Sequence, residues 1–332
     1  MKINRLFTFV AAFVFMQHLS LAQQTTPPAM GDKPPMGVRP AGGKGPGGMH
    51  QANTQGIKNK FLDVAYAQAS PAQKLDIYLP DTGNGPFPVI VSIHGGGFEM
   101  GDKADGQVNA MLEGLKRGYA VVSVNYRLSG EAVFPAQIQD VKAAIRFLRA
   151  NAKTYKLNPD KMASWGGSAG GHLAALLGTT GDVATFDDPT LGNARYSSRV
   201  QAVVDWFGPI RFDQMDAQFQ ASGNGRASHS AATSPESRLL GKAVTQAPEL
   251  VKRASPATYI SKNDPPFFLE HGTADPMVPT EQSKNFYAEL VKVLGEDKVA
   301  LTLLEGAGHG GPQFETPENL KKVFAFLDKY LK

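Results

Sequence analysis

The sequence predicts an α/β fold with a mostly parallel central sheet and helices on both faces. Short β-branched and aromatic runs alternate with helical patterns from about residue 57 to the end of the chain. Several of the strand segments are apolar throughout, as strands buried on both faces are, and the helical segments keep their apolar residues on one side. With 332 residues and 42% hydrophobic content, the chain can bury a sizeable core.

The first half of the folded region predicts three strands and two helices. KLDIYLP, FPVIVSIHG and YAVVSVNYR have the β-branched and aromatic content of strands, and GQVNAMLEGLKRG, between the last two, has a helical pattern. PAQIQDVKAAIRFLRANA predicts a longer helix, because Pro135 is a favoured first-turn residue and four apolar residues share one face. These four residues are Ile138, Val141, Ile145 and Leu148.

The second half continues the alternation. KMASWG predicts a strand, AGGHLAALLG a helix, and VQAVVDWFG, PFFLEHG and VALTLLEGA three further strands. Apolar residues at helical spacing in EQSKNFYAELVKVLG and ENLKKVFAFLDKYL predict the last two helices. Residues 181–262 interrupt the rhythm with polar and Gly/Ser-rich sequence, which favours an insertion or partial cap over a second domain.

The N-terminal segment predicts export. Residues 1–22 combine two early basic residues, a mostly apolar run and the small-x-small end Ser20-Leu21-Ala22, which is typical of a secretory signal peptide. The apolar run is well short of the roughly 20 residues that span a bilayer, so we expect no membrane span in the mature protein. Residues 23–56 are rich in Pro and Gly, which predicts a flexible tether. We expect a secreted or periplasmic protein with one folded domain over residues 57–332.

Composition excludes several classes of function. Cysteine is absent, so disulfides, thiolate metal sites and a cysteine nucleophile are excluded. The net charge of +4 comes from residues 1–56, which hold five basic residues and one acidic residue and leave 29 of each sign from residue 57 onward. The folded part is therefore neutral overall, and nucleic-acid binding is not expected.

The stretch GGSAGG sets Ser168 among glycines, between a predicted strand and a predicted helix. A G-x-S-x-G turn in that place exposes the serine hydroxyl at the edge of the sheet and leaves no room for side chains at Gly166 and Gly170. The pattern alone is weak evidence in a chain with 35 glycines. Its position between strand and helix favours a nucleophile.

A serine nucleophile needs a base and a carboxylate that orients the base. His309 lies in EGAGHGG directly after the last predicted strand, where parallel sheets place their sites, whereas the other six histidines lie in segments that favour other roles. Asp275, in HGTADPMVP, follows the preceding strand in the same way. Its competitors are Asp264, which precedes that strand, and Glu270, which lies within it.

The glycines of HGGGF, after the strand FPVIVSI, complete the predicted site. Glycines let backbone N–H groups approach a substrate oxygen, and such a loop forms an oxyanion hole with the N–H that follows the nucleophile. We predict that Gly96, Gly97 and Ala169 supply these groups, with Gly95 as the alternative glycine. This chemistry needs no metal and no cofactor, and we expect neither.

Together these segments resemble the α/β-hydrolase superfamily and, within it, the hormone-sensitive-lipase-like esterases. HGGGF, VNYRL, GGSAGGHLAALLG, DPPFFLEHGTADPMVP and GAGHGG are similar to the bacterial feruloyl and acetyl-xylan esterase branch, from about residue 58 to the end. The resemblance implies an α/β-hydrolase fold, Ser168 as nucleophile, Asp275 as orienting acid, His309 as base and a plant-polysaccharide acyl ester as substrate. Many hormone-sensitive-lipase-like members have Asp where this chain has Gly167.

The sequence thus predicts a secreted serine carboxylesterase that works through an acyl-enzyme, on small-molecule or polysaccharide-linked acetyl or feruloyl esters. A peptidase or amidase of the same fold is one alternative, although such enzymes often carry an extra domain for which this chain has no room. A non-catalytic ligand-binding relative is another, although such proteins usually lose the histidine that is present here.

Overall fold

The computed structural model describes residues 50–332 of the chain. The predicted signal peptide, residues 1–22, and residues 23–49 of the predicted tether lie outside the described residues. The last tether residues lie against the folded domain, where the N–H of Ala52 donates to the carbonyl of Ala104 at 2.8 Å. No helix within residues 50–332 has the length and apolar character needed to cross a membrane.

Eight strands among the described residues form one mixed sheet. They are β1 (Lys60–Ala65), β2 (Lys74–Tyr78), β3 (Phe87–Ile93), β4 (Ala120–Val124), β5 (Leu157–Gly167), β6 (Ala202–Trp206), β7 (Phe267–Gly272) and β8 (Val299–Leu304). The order across the sheet is β1-β2-β4-β3-β5-β6-β7-β8, with antiparallel pairing only at β1–β2 and β2–β4. The mostly parallel sheet confirms the predicted α/β class. The edge strand β1 has no counterpart among the predicted strands, since its residues are only partly buried and carry little apolar pattern.

Eight α-helices flank this sheet within the same residues. They are α1 (Asn109–Leu112), α2 (Ala136–Ala150), α3 (Ala169–Thr179), α4 (Met215–Ser222), α5 (Pro235–Leu240), α6 (Pro248–Ala254), α7 (Glu281–Leu294) and α8 (Pro317–Leu331). Helices α2, α3 and α7 bury apolar residues in the core on one face of the sheet, and α1 and α8 do so on the other. The central strands face both cores, which is why they are apolar without alternation.

Two segments differ in detail from the sequence-based expectation. The helix predicted from GQVNAMLEGLKRG is a single turn, α1, between two 3₁₀ segments. The region predicted as an insertion, residues 181–262, contains the central strand β6 as well as the short helices α4, α5 and α6. The part that leaves the sheet therefore begins only after β6.

A buried carboxyl group lies between the sheet and α8. Glu270 in β7 is fully buried, and its Oε2 accepts a hydrogen bond from Nδ2 of Asn319 at 3.1 Å. Burial raises the pKa of Glu270 to about 8, and the neutral amide of Asn319 offsets only part of that effect. Glu270 is therefore protonated in the folded protein at neutral pH.

This raised pKa predicts a pH-dependent stability that Glu270→Gln removes. An unfolded glutamate ionises near pH 4.3, so the stability that protonated Glu270 contributes is complete below that pH and is lost as pH rises to about 8. In that window, the free energy of unfolding of the wild type should fall relative to the variant by up to about 1.4 kcal/mol per pH unit. Urea unfolding of both proteins between pH 5 and 8 measures this difference, and a constant difference would contradict the assignment.

Candidate active site

Ser168 occupies a strained turn between β5 and α3. Its backbone has φ 58° and ψ −126°, and its N–H donates to the carbonyl of Trp206 at 2.9 Å. The two flanking glycines allow this geometry, because a Cβ at Gly166 would lie 2.3 Å from the carbonyl of Gly170, and a Cβ at Gly170 would lie 2.0 Å from that of Ile93. The turn thus needs glycine at both positions and leaves the serine hydroxyl partly exposed.

His309 and Asp275 lie in line with this hydroxyl. Nε2 of His309 is 2.8 Å from Oγ of Ser168, and Nδ1 of the same ring is 2.7 Å from Oδ2 of Asp275. His309 follows β8, and Asp275 follows β7, so the carboxyl ends of neighbouring parallel strands bring the three side chains together. These are the three residues that the sequence analysis selects for nucleophile, base and acid.

Asp275 is 1% exposed and fully hydrogen-bonded. Its Oδ1 accepts from the backbone N–H groups of Met277 at 2.8 Å and Val278 at 2.9 Å. Burial by itself raises the pKa of Asp275, but hydrogen bonds from His271 and His309 outweigh burial and hold the pKa well below its ordinary value. Asp275 is therefore a carboxylate at neutral pH.

His271 is a contact of Asp275 that the sequence analysis does not include in the site. Its fully buried ring places Nε2 3.0 Å from the carbonyl of Val278 and 3.3 Å from Oδ2 of Asp275. Because both neighbours are acceptors, the hydrogen-bond network assigns the proton to Nε2, and the hydroxyl of Ser283 then donates to Nδ1 at 2.7 Å. The sequence signal for this contact is the four-residue spacing of His271, in β7, and Asp275, just after it.

The alternatives to Asp275 and His309 make their hydrogen bonds outside the site. Asp264 accepts hydrogen bonds from the backbone N–H and the hydroxyl of Ser261, and Glu270 faces Asn319. His172 is fully buried with Nδ1 2.6 Å from the carbonyl of Pro209, and burial lowers its pKa to about 4. Neither competing carboxyl group is bonded to His309.

The glycine loop after β3 carries the predicted oxyanion groups. The N–H of Gly95 donates to Oε1 of Gln107 at 2.8 Å, so this glycine is already engaged. The N–H groups of Gly96, Gly97 and Ala169 have no hydrogen-bond acceptor within residues 50–332. This difference favours Gly96 and Gly97 over Gly95 as donors to an oxyanion. It also points to Gln107 as a residue that orients the glycine loop, and the sequence analysis does not identify Gln107.

A cavity of about 490 Å³ opens beside Ser168 and His309. Its apolar walls include Ile93 and Trp206 at the ends of β3 and β6, Met111 in α1, and Phe207 and Phe314 in the segments after β6 and β8. The ring of Phe207 lies edge-on to His309, with ring centroids 4.8 Å apart. Pro235, at the start of α5, also lines the cavity. This volume and the mostly apolar walls are typical of small-molecule binding sites.

A serine on a glycine-bounded strand-to-helix turn, with histidine and aspartate after the last two strands of a mostly parallel sheet, defines the α/β-hydrolase class. Within that class, the BD-FAE family model matches residues 75–290. The chain belongs to this BD-FAE family of hormone-sensitive-lipase-like α/β-hydrolases.

Similar proteins include a curated relative and two solved structures. The chain is 33% identical to the probable carboxylic ester hydrolase LipM of Mycobacterium tuberculosis, over 77% of this chain and 58% of LipM, so it spans less than two thirds of that relative. A truncated carbohydrate esterase from gut microbiota is 33% identical with a TM-score of 0.74, covering 84% of this chain and 98% of that one. A bifunctional GH43-CE protein of Bacteroides eggerthii is 38% identical with a TM-score of 0.73. That match covers 81% of this chain and 35% of the GH43-CE chain.

The contacts at Gly170 predict a large effect of one methyl group. Gly170→Ala places a Cβ 2.0 Å from the carbonyl of Ile93, so the Ser168 turn must move and the free energy of unfolding should fall by about 1–3 kcal/mol or more. Gly130→Ala is the matched control, since no atom lies within 4 Å of its added Cβ. Urea unfolding followed by tryptophan fluorescence measures both variants, and equal effects would contradict the close approach.

Proposed function

We propose that this protein is a serine carboxylesterase that hydrolyses carboxylic esters through an acyl-enzyme. The observation that carries the proposal is the hydrogen-bonded line of Ser168, His309 and Asp275 beside a cavity. The carboxylic ester hydrolase and carbohydrate esterase names among the similar proteins support the same reaction class.

In the acylation step, Oγ of Ser168 attacks the ester carbonyl carbon while Nε2 of His309 takes the hydroxyl proton. The negative charge passes to the carbonyl oxygen, which the N–H groups of Gly96, Gly97 and Ala169 stabilise. The tetrahedral intermediate then expels the alcohol oxygen, which receives the proton from His309 and leaves as the free alcohol. The acyl group stays on Ser168 as an ester.

Deacylation repeats these steps with water as the nucleophile. The water oxygen attacks the acyl carbon while His309 takes a proton from the water. His309 then returns that proton to Oγ of Ser168 as the acid leaves. Asp275 accepts the Nδ1–H bond throughout, which fixes the tautomer of His309 and stabilises the imidazolium. Its hydrogen-bonded, ionised carboxylate suits that role.

The proposed substrates are acetyl or feruloyl esters attached to plant polysaccharide. One structural neighbour, at 33% identity, is named a carbohydrate esterase, and the cavity has apolar walls and room for an aromatic acyl group. Residues 1–22 support a secreted or periplasmic location, where an enzyme can reach a polymer that does not enter the cytoplasm.

Removing the nucleophile tests the reaction. Ser168→Ala should lower kcat for a short aryl ester by roughly 10⁴ or more, because the three residues act as one unit. Ser228→Ala, the same change at an exposed position outside the cavity, should keep wild-type activity. A Ser168→Ala variant with a tenth of wild-type activity would refute the assignment.

Acyl release from an acetylated, feruloylated arabinoxylan tests the substrate. Protein starting at Gln23 is incubated with the polymer, and acetate and ferulate are measured in one sample, with Ser168→Ala as control. We expect serine-dependent release of at least one of the two acids. Release of neither, while short synthetic esters are still cleaved, would retain the esterase and exclude this polymer as substrate.

A further inference from the structure

The charged side chains that line the catalytic cavity all carry one sign. Glu99 and Glu315 contribute to the lining, and no lysine or arginine of residues 50–332 does. Asp275 adds a third carboxylate immediately behind His309. The folded part of the chain has equal numbers of basic and acidic residues, so the excess of negative charge is local to the cavity.

The two lining carboxylates have different surroundings. Glu99 follows the glycine loop, and its Oε1 accepts a hydrogen bond from Nη1 of Arg238 in α5 at 2.7 Å. This pair orders Glu99 and offsets part of its charge. Glu315 follows His309 in the same loop, is exposed, and forms no ion pair with any described residue. Glu315 is therefore the less compensated of the two charges.

We propose that this cavity selects esters by charge, accepting uncharged acyl and alcohol groups and disfavouring esters that carry a carboxylate near the scissile bond. The proposal rests on the esterase function proposed above and narrows its substrate class to neutral esters. The physical cause is repulsion between like charges in a cavity with apolar walls, where the effective dielectric constant is lower than in water.

The same charges act on the product. Hydrolysis of a neutral ester yields an alcohol and an acid, and at neutral pH the acid loses its proton to solvent and becomes a carboxylate. The product then carries a charge that the substrate lacks, in a cavity lined by Glu99 and Glu315. Repulsion therefore favours release of the acid and weakens product inhibition by carboxylates.

The test compares two esters of nearly identical shape, 4-carbamoylphenyl acetate, which is neutral, and 4-carboxyphenyl acetate, which is anionic. The measured quantity is the ratio of kcat/KM for the anionic ester to kcat/KM for the neutral ester, at about 0.05 M ionic strength to limit screening. Both esters are assayed with every variant, so their different intrinsic reactivities cancel when ratios are compared between variants.

We expect Glu315→Gln to raise this ratio about fivefold, Glu315→Lys to raise it further, and the Glu99→Gln/Glu315→Gln double variant to exceed Glu315→Gln. Increased salt should raise the ratio of the wild type and have little effect on that of the double variant. Glu296→Gln makes the same charge change at an exposed position outside the cavity and should leave the ratio unchanged. Thermal unfolding confirms that each variant is folded.

Two results would overturn the proposal in distinguishable ways. If the neutral ester is cleaved with dependence on Ser168 but Glu315→Gln and Glu315→Lys keep the wild-type ratio, charge selection is wrong and the esterase function stands. If neither ester is cleaved with dependence on Ser168, the esterase function fails, and charge selection fails with it.

Discussion

The close approach of the Ser168 turn to the end of β3 is the constraint on which the site depends. Gly170 packs against the carbonyl of Ile93, so α3 begins directly beside the strand that leads into the glycine loop. This contact places Ser168, the proposed nucleophile, in the same cavity lining as Gly96 and Gly97. A bulkier residue would separate the two loops, and with them Oγ of Ser168 from the N–H groups proposed to bind the oxyanion. The positive φ of Ser168 is a local strain that the surrounding sheet maintains.

Burial alone does not decide the charge of a carboxyl group, as two residues of one segment demonstrate. Glu270 and Asp275 are both buried, yet burial raises the pKa of Glu270 to about 8 whereas the pKa of Asp275 lies well below its ordinary value. Glu270 accepts from a neutral amide, whereas Asp275 accepts from two backbone N–H groups and two histidine rings. The number and type of donors therefore separate a structural, protonated acid from an ionised one that can orient a base.

Much of the fold and the core of the site follow from the sequence because their signals are local. An apolar run predicts a buried strand, and serine, aspartate and histidine each follow such a run directly. What the sequence does not predict depends on contacts between distant segments. The hydrogen bond that the N–H of Gly95 donates to Gln107, and the one that Ser283 donates to His271, arise only when separate segments of the chain meet. The edge strand β1 is missed for a related reason, since pairing with β2 defines it more than its own residues do.

The residues proposed for catalysis and those proposed for charge selection lie in the same short segments of this protein. Glu99 and Met100 lie in the loop that carries Gly96 and Gly97, and Glu315 lies in the segment that follows His309. Between β6 and β7, the described residues that line the cavity are Phe207, directly after β6, and Pro235, at the start of α5. Most of the lining residues lie within a few positions of the glycine loop, Ser168, Asp275 or His309, so many substitutions that alter the cavity also lie close to the groups proposed for catalysis. A substitution at an exposed lining residue such as Glu315 disturbs the packing least, because its side chain contacts solvent as well as the cavity.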